Sequence, residues 1–141
     1  MYRHLLRPIF FLLAPESAHH VVTGTLKFLM KIPGVKWITE SLYLVKDKRL
    51  ERELFGIKFP NPVGLAAGFD KQASFYKEFR SLGFGFIEVG TITPKGQDGN
   101  PQPRMFRLPQ DRGLINRMGF NNHGLEIARK QLENRDRSQI I

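Results

Sequence analysis

Two short apolar runs separated by one helix-length segment constrain this chain more than any other feature. Residues 63–67 read Val-Gly-Leu-Ala-Ala, and residues 86–93 read Phe-Ile-Glu-Val-Gly-Thr-Ile-Thr. Between them Phe75, Phe79 and Leu82 recur at i, i+4 and i+7, with Ser74 placed to cap the helix start and Gly83 to close its end. Strands joined through a single helix must be parallel, and the crossover is expected to be right-handed. Each strand runs into a Gly, Gly68 or Gly90, with hydrogen-bonding residues nearby. No G-x-G-x-x-G follows a strand and no Walker pattern occurs, which disfavours a Rossmann dinucleotide site and a P-loop. That leaves a (β/α) barrel, in which strand ends collect into one site.

The first strand end carries the chemistry. Gly64, Ala66, Ala67 and Gly68 leave space for something flat and large against the backbone. Lys71 then places one positive charge beyond the strand's C-terminal end. By itself the stretch also fits a core strand ending in a Gly turn with a solvated Lys. A second stretch, Asn116-Arg117-Met118-Gly119-Phe120-Asn121-Asn122, sets three Asn and an Arg beside Met and Phe. Buried amides each need partners, so this composition suits a site for a flat, polar, anionic molecule. Asn122 is also placed to cap the helix that follows, whose inner face reads Leu125, Ala128 and Leu132.

Elsewhere the chain supplies supports. Pro15 suits the first turn of a helix with Ala14 as a weak cap; Ala18, Val21, Val22, Thr25, Leu26 and Leu29 share one face, and Lys27 and Lys31 lie on another. Pro33-Gly34 ends that helix, and residues 35–42 read as another. Their wide apolar faces with basic edges fit either packing on the following domain or lying on a membrane surface. Residues 49–54 and 57–59 read as two strands about a Phe55-Gly56 turn. Residues 95–103 read as a long polar loop, and 104–108 and 114–117 as a hairpin about Asp111-Arg112-Gly113. Gln139-Ile140-Ile141 reads as the start of a third strand.

Composition bounds the partners. The 141 residues suffice for one domain, 41% are hydrophobic, and the net charge is +9. That charge invites nucleic acid, an anionic membrane or an anionic small molecule. A basic membrane- or nucleic-acid-binding module without catalysis is therefore the alternative reading. The basic residues are spread along the chain and form no aromatic-interleaved patch, which argues against nucleic acid. There is no Cys and no metal-ligand spacing of His and carboxylates. The N-terminal apolar run, residues 9–14, is too short to span a bilayer.

Three stretches together carry a resemblance: residues 64–71 (Gly-Leu-Ala-Ala-Gly-Phe-Asp-Lys), 88–94 (Glu-Val-Gly-Thr-Ile-Thr-Pro) and 115–122 (Ile-Asn-Arg-Met-Gly-Phe-Asn-Asn). With Pro15-Glu16-Ser17-Ala18-His19 they resemble the membrane-associated, quinone-dependent class of the dihydroorotate dehydrogenase family. The soluble class lacks the helical extension and usually has Ser and Leu where Arg117 and Phe120 stand here.

The resemblance implies an α/β fold, the N-terminal portion of a (β/α)8 TIM barrel preceded by a small amphipathic helical segment. Residues 1–45 would form the membrane and quinone-tunnel segment, and 46–141 the start of the FMN-binding barrel. It implies oxidation of dihydroorotate to orotate in de novo pyrimidine synthesis, with proton removal from C5, hydride transfer from C6 to flavin, and reoxidation by a membrane quinone. Ala67, Gly68, Phe69, Asp70, Lys71 and Thr91 would contact FMN. Lys71, Asn116, Arg117, Met118, Gly119 and Phe120 would hold the substrate, and His19 and Arg107 would line the quinone tunnel. The family's catalytic Ser base would lie beyond Ile141, so no catalytic residue is assigned within this chain, and the 141 residues alone are expected neither to turn over nor to retain FMN. Peripheral attachment to the cytoplasmic side of the membrane and a monomeric complete protein complete the expectation.

Overall fold

Residues 2–141 are described by a computed structural model. A π-helical turn, Tyr2–Leu6, leads into α1 (Arg7–Phe11), α2 (Pro15–Leu29) and α3 (Val35–Tyr43). Four two-stranded sheets follow. β1 (Arg52–Leu54) and β2 (Ile57–Phe59) form an antiparallel hairpin, preceded by a 3-10 turn at Lys48–Leu50 where the sequence reads as strand. Phe55 and Gly56 both take positive φ at its tip (54° and 73°), the geometry of a tight hairpin turn.

β3 (Gly64–Leu65) and β4 (Phe86–Ile87) pair in parallel around α4 (Tyr76–Arg80), as the strand–helix–strand reading requires. Both strands are shorter than their apolar runs. Beyond them the two chains continue side by side, with Glu88 N–H donating to the Leu65 carbonyl at 2.8 Å. Gly64 is small for a reason other than ligand access: a Cβ there would overlap the Phe86 ring of the paired strand. No third strand forms at 139–141 among the described residues, but Ile87 N–H donates to the Ile140 carbonyl at 3.0 Å, so the chain end lies along β4.

β5 (Lys95–Gln97) occupies part of the expected polar loop and pairs antiparallel with β8 (Asn122–Gly124). Periodicity could not show this, because the partner is a remote polar run. β6 (Met105–Leu108) and β7 (Gly113–Asn116) form the expected hairpin. α5 (Leu125–Glu133) closes the order.

The core is small: Ala73, Tyr76, Phe79 and Ile87, flanked by Leu26, Leu65, Phe84 and Leu132. Tyr76 Oη donates to the Gln131 carbonyl at 3.0 Å, tying α4 to α5. In α5, Ala128 and Leu132 face inward as expected, but Leu125 is exposed.

α2 does not dock through its most apolar face. Ala18 and Thr23 are buried, whereas Val21, Val22, Thr25 and Leu29 are exposed. Polar anchors set this rotation. Arg104 of the β-layer holds Glu16 through both carboxylate oxygens (2.5 and 3.1 Å), and Lys27 Nζ donates to the Ser74 carbonyl at 3.2 Å. Small residues suit that close approach, and the larger apolar side chains are left outward. No helix among the described residues is long and apolar enough to cross a membrane.

The Arg104 guanidinium holds the Glu16 carboxyl below its usual pKa. A carboxylate depressed in the folded state contributes stability above its unfolded pKa and loses it as pH falls through the folded value. The docking of α2 is therefore expected to weaken only at acid pH, below the ordinary Glu range. Hydrogen-exchange protection across residues 15–29, measured against the intrinsic rate at each pH, should fall there in the wild type and already be low at neutral pH in Glu16→Gln; equal protection in both at neutral pH would contradict it.

Candidate functional site

The ends of β3 and β4 are laced together by backbone. Gly68 N–H donates to the Gly90 carbonyl at 2.8 Å, and Gly90 N–H donates to the Asp70 carbonyl at 3.0 Å. Gly68 has φ +100°, and among the described residues no atom beyond Gly68 and its two chain neighbours lies within 4 Å of where its Cβ would be. Ala66, Ala67, Gly68 and Thr91 are exposed. The expected open space against the backbone is therefore present at 66–68, though not at Gly64.

Asp70 is turned away from that space. Its carboxylate, 1% exposed, accepts from Ser74 N–H at 2.7 Å and Phe75 N–H at 2.8 Å. The helix-start role expected of Ser74 belongs to Asp70, because the formal cap position falls on Phe75, which has no acceptor to offer. Phe69 also points elsewhere, edge-on to His19 at 4.7 Å and to Phe79 at 5.1 Å.

Gly68, Lys71, Thr91, Met105, Asn116, Met118, Gly119 and Phe120 line one open cavity of about 380 Å³. Three expected cofactor residues and four further expected substrate residues thus converge from the β3 end, the β4 end and the segment after β7. Ala67 lies beside the cavity in sequence but does not line it. Arg117 is not in its lining: its guanidinium donates to the Pro103 carbonyl at 3.1 Å and lies 5.9 Å from the Phe106 ring. The reason is strand alternation, which turns Asn116 and Met118 to one side and Arg117 to the other.

Met105 is a lining residue that pattern reading missed. It sits directly across from Asn116 in the β6–β7 register, so pairing the hairpin residue by residue would have found it. Asn121, part of the amide-rich stretch but given no role there, does not line the cavity yet holds a residue that does. Its Oδ1 accepts from the Lys71 ammonium, which also contacts Met118 Sδ at 3.7 Å. Asn122, expected at the helix cap, instead clamps the β4 extension. Its Nδ2 donates to Thr93 Oγ1 at 2.9 Å, and its Oδ1 accepts from Gly124 N–H at 2.8 Å; Gly124 holds the cap position.

Among the described residues, Lys71 is the only charged side chain lining the cavity. Burial and, secondarily, the Arg104 guanidinium push its pKa below the ordinary Lys value. Both effects disfavour the ammonium, and an anion beside it would oppose both.

His19 and Arg107 stand where the helices meet the strands, but they do not share a cavity. His19 packs on Phe69, and burial lowers its pKa, helped by His20 and Lys71. Arg107 donates to the carbonyls of Leu13 (2.6 Å) and Phe10 (3.2 Å) and stacks on the Phe11 ring at 4.5 Å.

The family model for dihydroorotate dehydrogenase matches residues 49–141. The chain belongs to the dihydroorotate dehydrogenase family. A dihydroorotate dehydrogenase (quinone) of Christiangramia forsetii is 56% identical over 133 residues, 94% of this chain and 39% of that protein. The enzyme of the same name from Thermus thermophilus is 52% identical over 123 residues, 87% of this chain and 36% of its own length. Among solved structures, the dihydroorotate dehydrogenase of Eimeria tenella in complex with ferulenol is similar at a TM-score of 0.65 and 45% identity, covering 84% of this chain and 30% of that one. The chain thus spans less than two fifths of the length of these family members, and its mixed helix–strand architecture is that of their α/β fold.

Proposed function

We propose that this chain supplies the cofactor- and substrate-facing loops of a quinone-dependent dihydroorotate dehydrogenase, which oxidises dihydroorotate to orotate in de novo pyrimidine synthesis. The observation that carries the reading is the convergence of Gly68, Thr91, Asn116 and Met118 around a single cation, Lys71. The open backbone at 66–68 fits a flat cofactor, and FMN is the flavin proposed. When bound, it accepts the hydride from substrate and passes electrons to quinone. This chain's residues do the positioning. The exposed backbone of Ala67 and Gly68 and the Thr91 hydroxyl offer hydrogen bonds to it. The backbone of Phe69 and Asp70 holds that loop in place. Lys71 binds the substrate carboxylate, Asn116 offers amide hydrogen bonds, and Met118, Gly119 and Phe120 shape the walls. Arg117 takes part through the strand it steadies.

The same reading places β3, α4 and β4 in a (β/α)8 barrel. It sets a boundary near residue 45 between the helical segment and the barrel, and places the quinone path between them, beside His19 and Arg107. The helices would rest on the cytoplasmic side of a membrane as a peripheral attachment of a monomeric complete protein. Support comes from the outward apolar side chains of this segment: Leu12 is 86% exposed, Trp37 72%, Leu42 71% and Phe28 66%. The basic-module alternative rests on net charge alone.

The test uses the full-length protein. It should purify yellow, release FMN on denaturation, and reduce a ubiquinone analogue only when dihydroorotate is added. A protein that carries no flavin, or whose flavin dihydroorotate leaves oxidised, would overturn the reading.

A further inference from the structure

We propose that Asn100, in the loop between β5 and β6, is a positioning residue for substrate, a role that deepens the dehydrogenase function proposed for this chain and rests on it. Asn100 lies outside the cavity lining. It holds the segment that supplies one wall of the cavity. Its Nδ2 donates to the Arg117 carbonyl at 2.6 Å, and its backbone N–H donates to the Met118 carbonyl at 2.9 Å. Among the described residues no other protein donor reaches either carbonyl.

Those two bonds fall where the sheet gives out. The β6–β7 register ends with Met105 opposite Asn116, and one more backbone bond follows, from Arg117 N–H to the Arg104 carbonyl at 2.9 Å. Residues 117–121 belong to no strand, yet Met118, Gly119 and Phe120 line the cavity. An extended strand sends successive carbonyls to opposite edges, so collecting two of them on one residue turns the chain out of strand geometry. Gly119 continues the turn at φ +70°. Asn121 comes next and holds the Lys71 ammonium. The wall and the cation therefore both depend on how this segment is held.

The loop that carries Asn100 is braced from behind. Arg104 Nη1 donates to the carbonyls of Asp98 (2.7 Å) and Asn100 (3.0 Å), and the rest of its guanidinium is held by Glu16. Gly99 has φ +76°, and a Cβ there would overlap the Met118 carbonyl, so loop and segment touch backbone to backbone. Asn100 thus offers its amide from a fixed support to a segment with little else to fix it. Without that bond the segment spends time in other conformers, and apparent affinity falls by the fraction that stays competent. The amide is exposed, so water replaces part of the bond, and the competent fraction should drop to about a tenth. The bound geometry, once reached, is unchanged, which puts the cost on binding rather than on turnover.

The test uses the full-length flavoprotein, with orotate binding read from the flavin absorbance and turnover followed with a ubiquinone analogue. Asn100→Ala should weaken orotate binding and raise KM for dihydroorotate about tenfold, with kcat within about threefold of wild type and flavin content unchanged. Asn100→Asp keeps the shape of the side chain. As a carboxylate it has no donor for the Arg117 carbonyl, and as a carboxylic acid it regains one. Its kcat/KM, taken relative to wild type at each pH, should be low at about pH 8 and recover several-fold toward about pH 5, whereas the ratio for Asn100→Ala should stay flat. A side chain that merely stabilised the fold would give no such recovery, and the Asp variant decides the matter by itself if Asn100→Ala does not fold. Wild-type orotate affinity in Asn100→Ala, a loss confined to kcat, or an Asp ratio that does not rise with acid would overturn the positioning role and leave the dehydrogenase reading standing. A wild-type flavin that neither orotate nor dihydroorotate perturbs would overturn both.

Discussion

Replacing Lys71 with Met in the full-length protein is expected to lower kcat/KM for dihydroorotate about 10²–10³-fold, the scale of losing a preorganised electrostatic partner in a partly dry site. Met keeps the length of the side chain and removes its charge. Nothing else lining the cavity can replace that charge, since the remaining polar groups there are neutral. Asn121 Oδ1 loses its donor, but Asn121 is only half-buried and water can serve it, so stability should fall by about 1 kcal/mol. The loss is therefore one of function, and a chemical melt beside the kinetics separates the two. The pH profile carries the same signature. Burial lowers the Lys71 pKa, so in the free enzyme the ammonium is lost earlier on the alkaline side than an ordinary Lys would lose it. Substrate affinity should decline through that limb in the wild type, and the limb should be missing in Lys71→Met. A variant within tenfold of wild type, with the limb intact, would remove Lys71 from the role of carboxylate partner.

Asp70→Ala is expected to be the most destabilising single change near the site, by about 3–4 kcal/mol in urea denaturation of the full-length protein. Two charge-assisted bonds to backbone amides are lost, each worth about 1.5–3 kcal/mol, and the two losses overlap because they share one carboxylate. Both amides lie where the chain turns into α4, next to buried Ala73 and Tyr76, so water cannot easily take over. Asp70→Asn keeps one carbonyl oxygen and should recover roughly half of the loss. Against a total stability of about 5–15 kcal/mol the alanine change is large. A loss below about 0.5 kcal/mol would show that the two amides find other acceptors and that the carboxylate is not what shapes this loop.

The sequence conveyed the scaffold of the site better than its orientation. The parallel pairing of β3 and β4 followed from one helix between two apolar runs, and the β6–β7 hairpin from its turn. Lys71, Asn116 and Met118 could be named because a cation and clustered amides have few reasons to stand among Met and Phe. What failed to show was which way neighbouring side chains turn. Arg117 shares every compositional cue with Asn116, yet one residue of strand alternation sends it to the other side. Asp70 stands at FMN only by the resemblance, and the folded helix start is what reveals that two backbone amides claim its carboxylate. The sequence left open whether the apolar face of α2 packs on the domain or on a membrane surface; a polar tie, Glu16 to Arg104, sets the helix's rotation and leaves most of that face outward. The β5–β8 pairing joins two polar segments, which no hydrophobic pattern announces.

The ring-to-ring contacts from His19 to Phe69 and on to Phe79 run from α2, across the cavity loop, to the core. Phe69 follows directly on Gly68, which lines the cavity, while its own ring packs on the helix and the core. Deleting residues 1–45 would therefore not free an intact remainder; it would strip one wall from the loop that carries Lys71. The arrangement also has a reciprocal consequence. If filling the cavity steadies Phe69, it must strengthen the seating of α2 by the same free energy with which seating α2 improves affinity at the cavity. Seating of α2 and occupancy of the cavity would then report on each other through the Phe69 ring, and that part of the coupling would vanish in Phe69→Ala, in whichever direction it is measured.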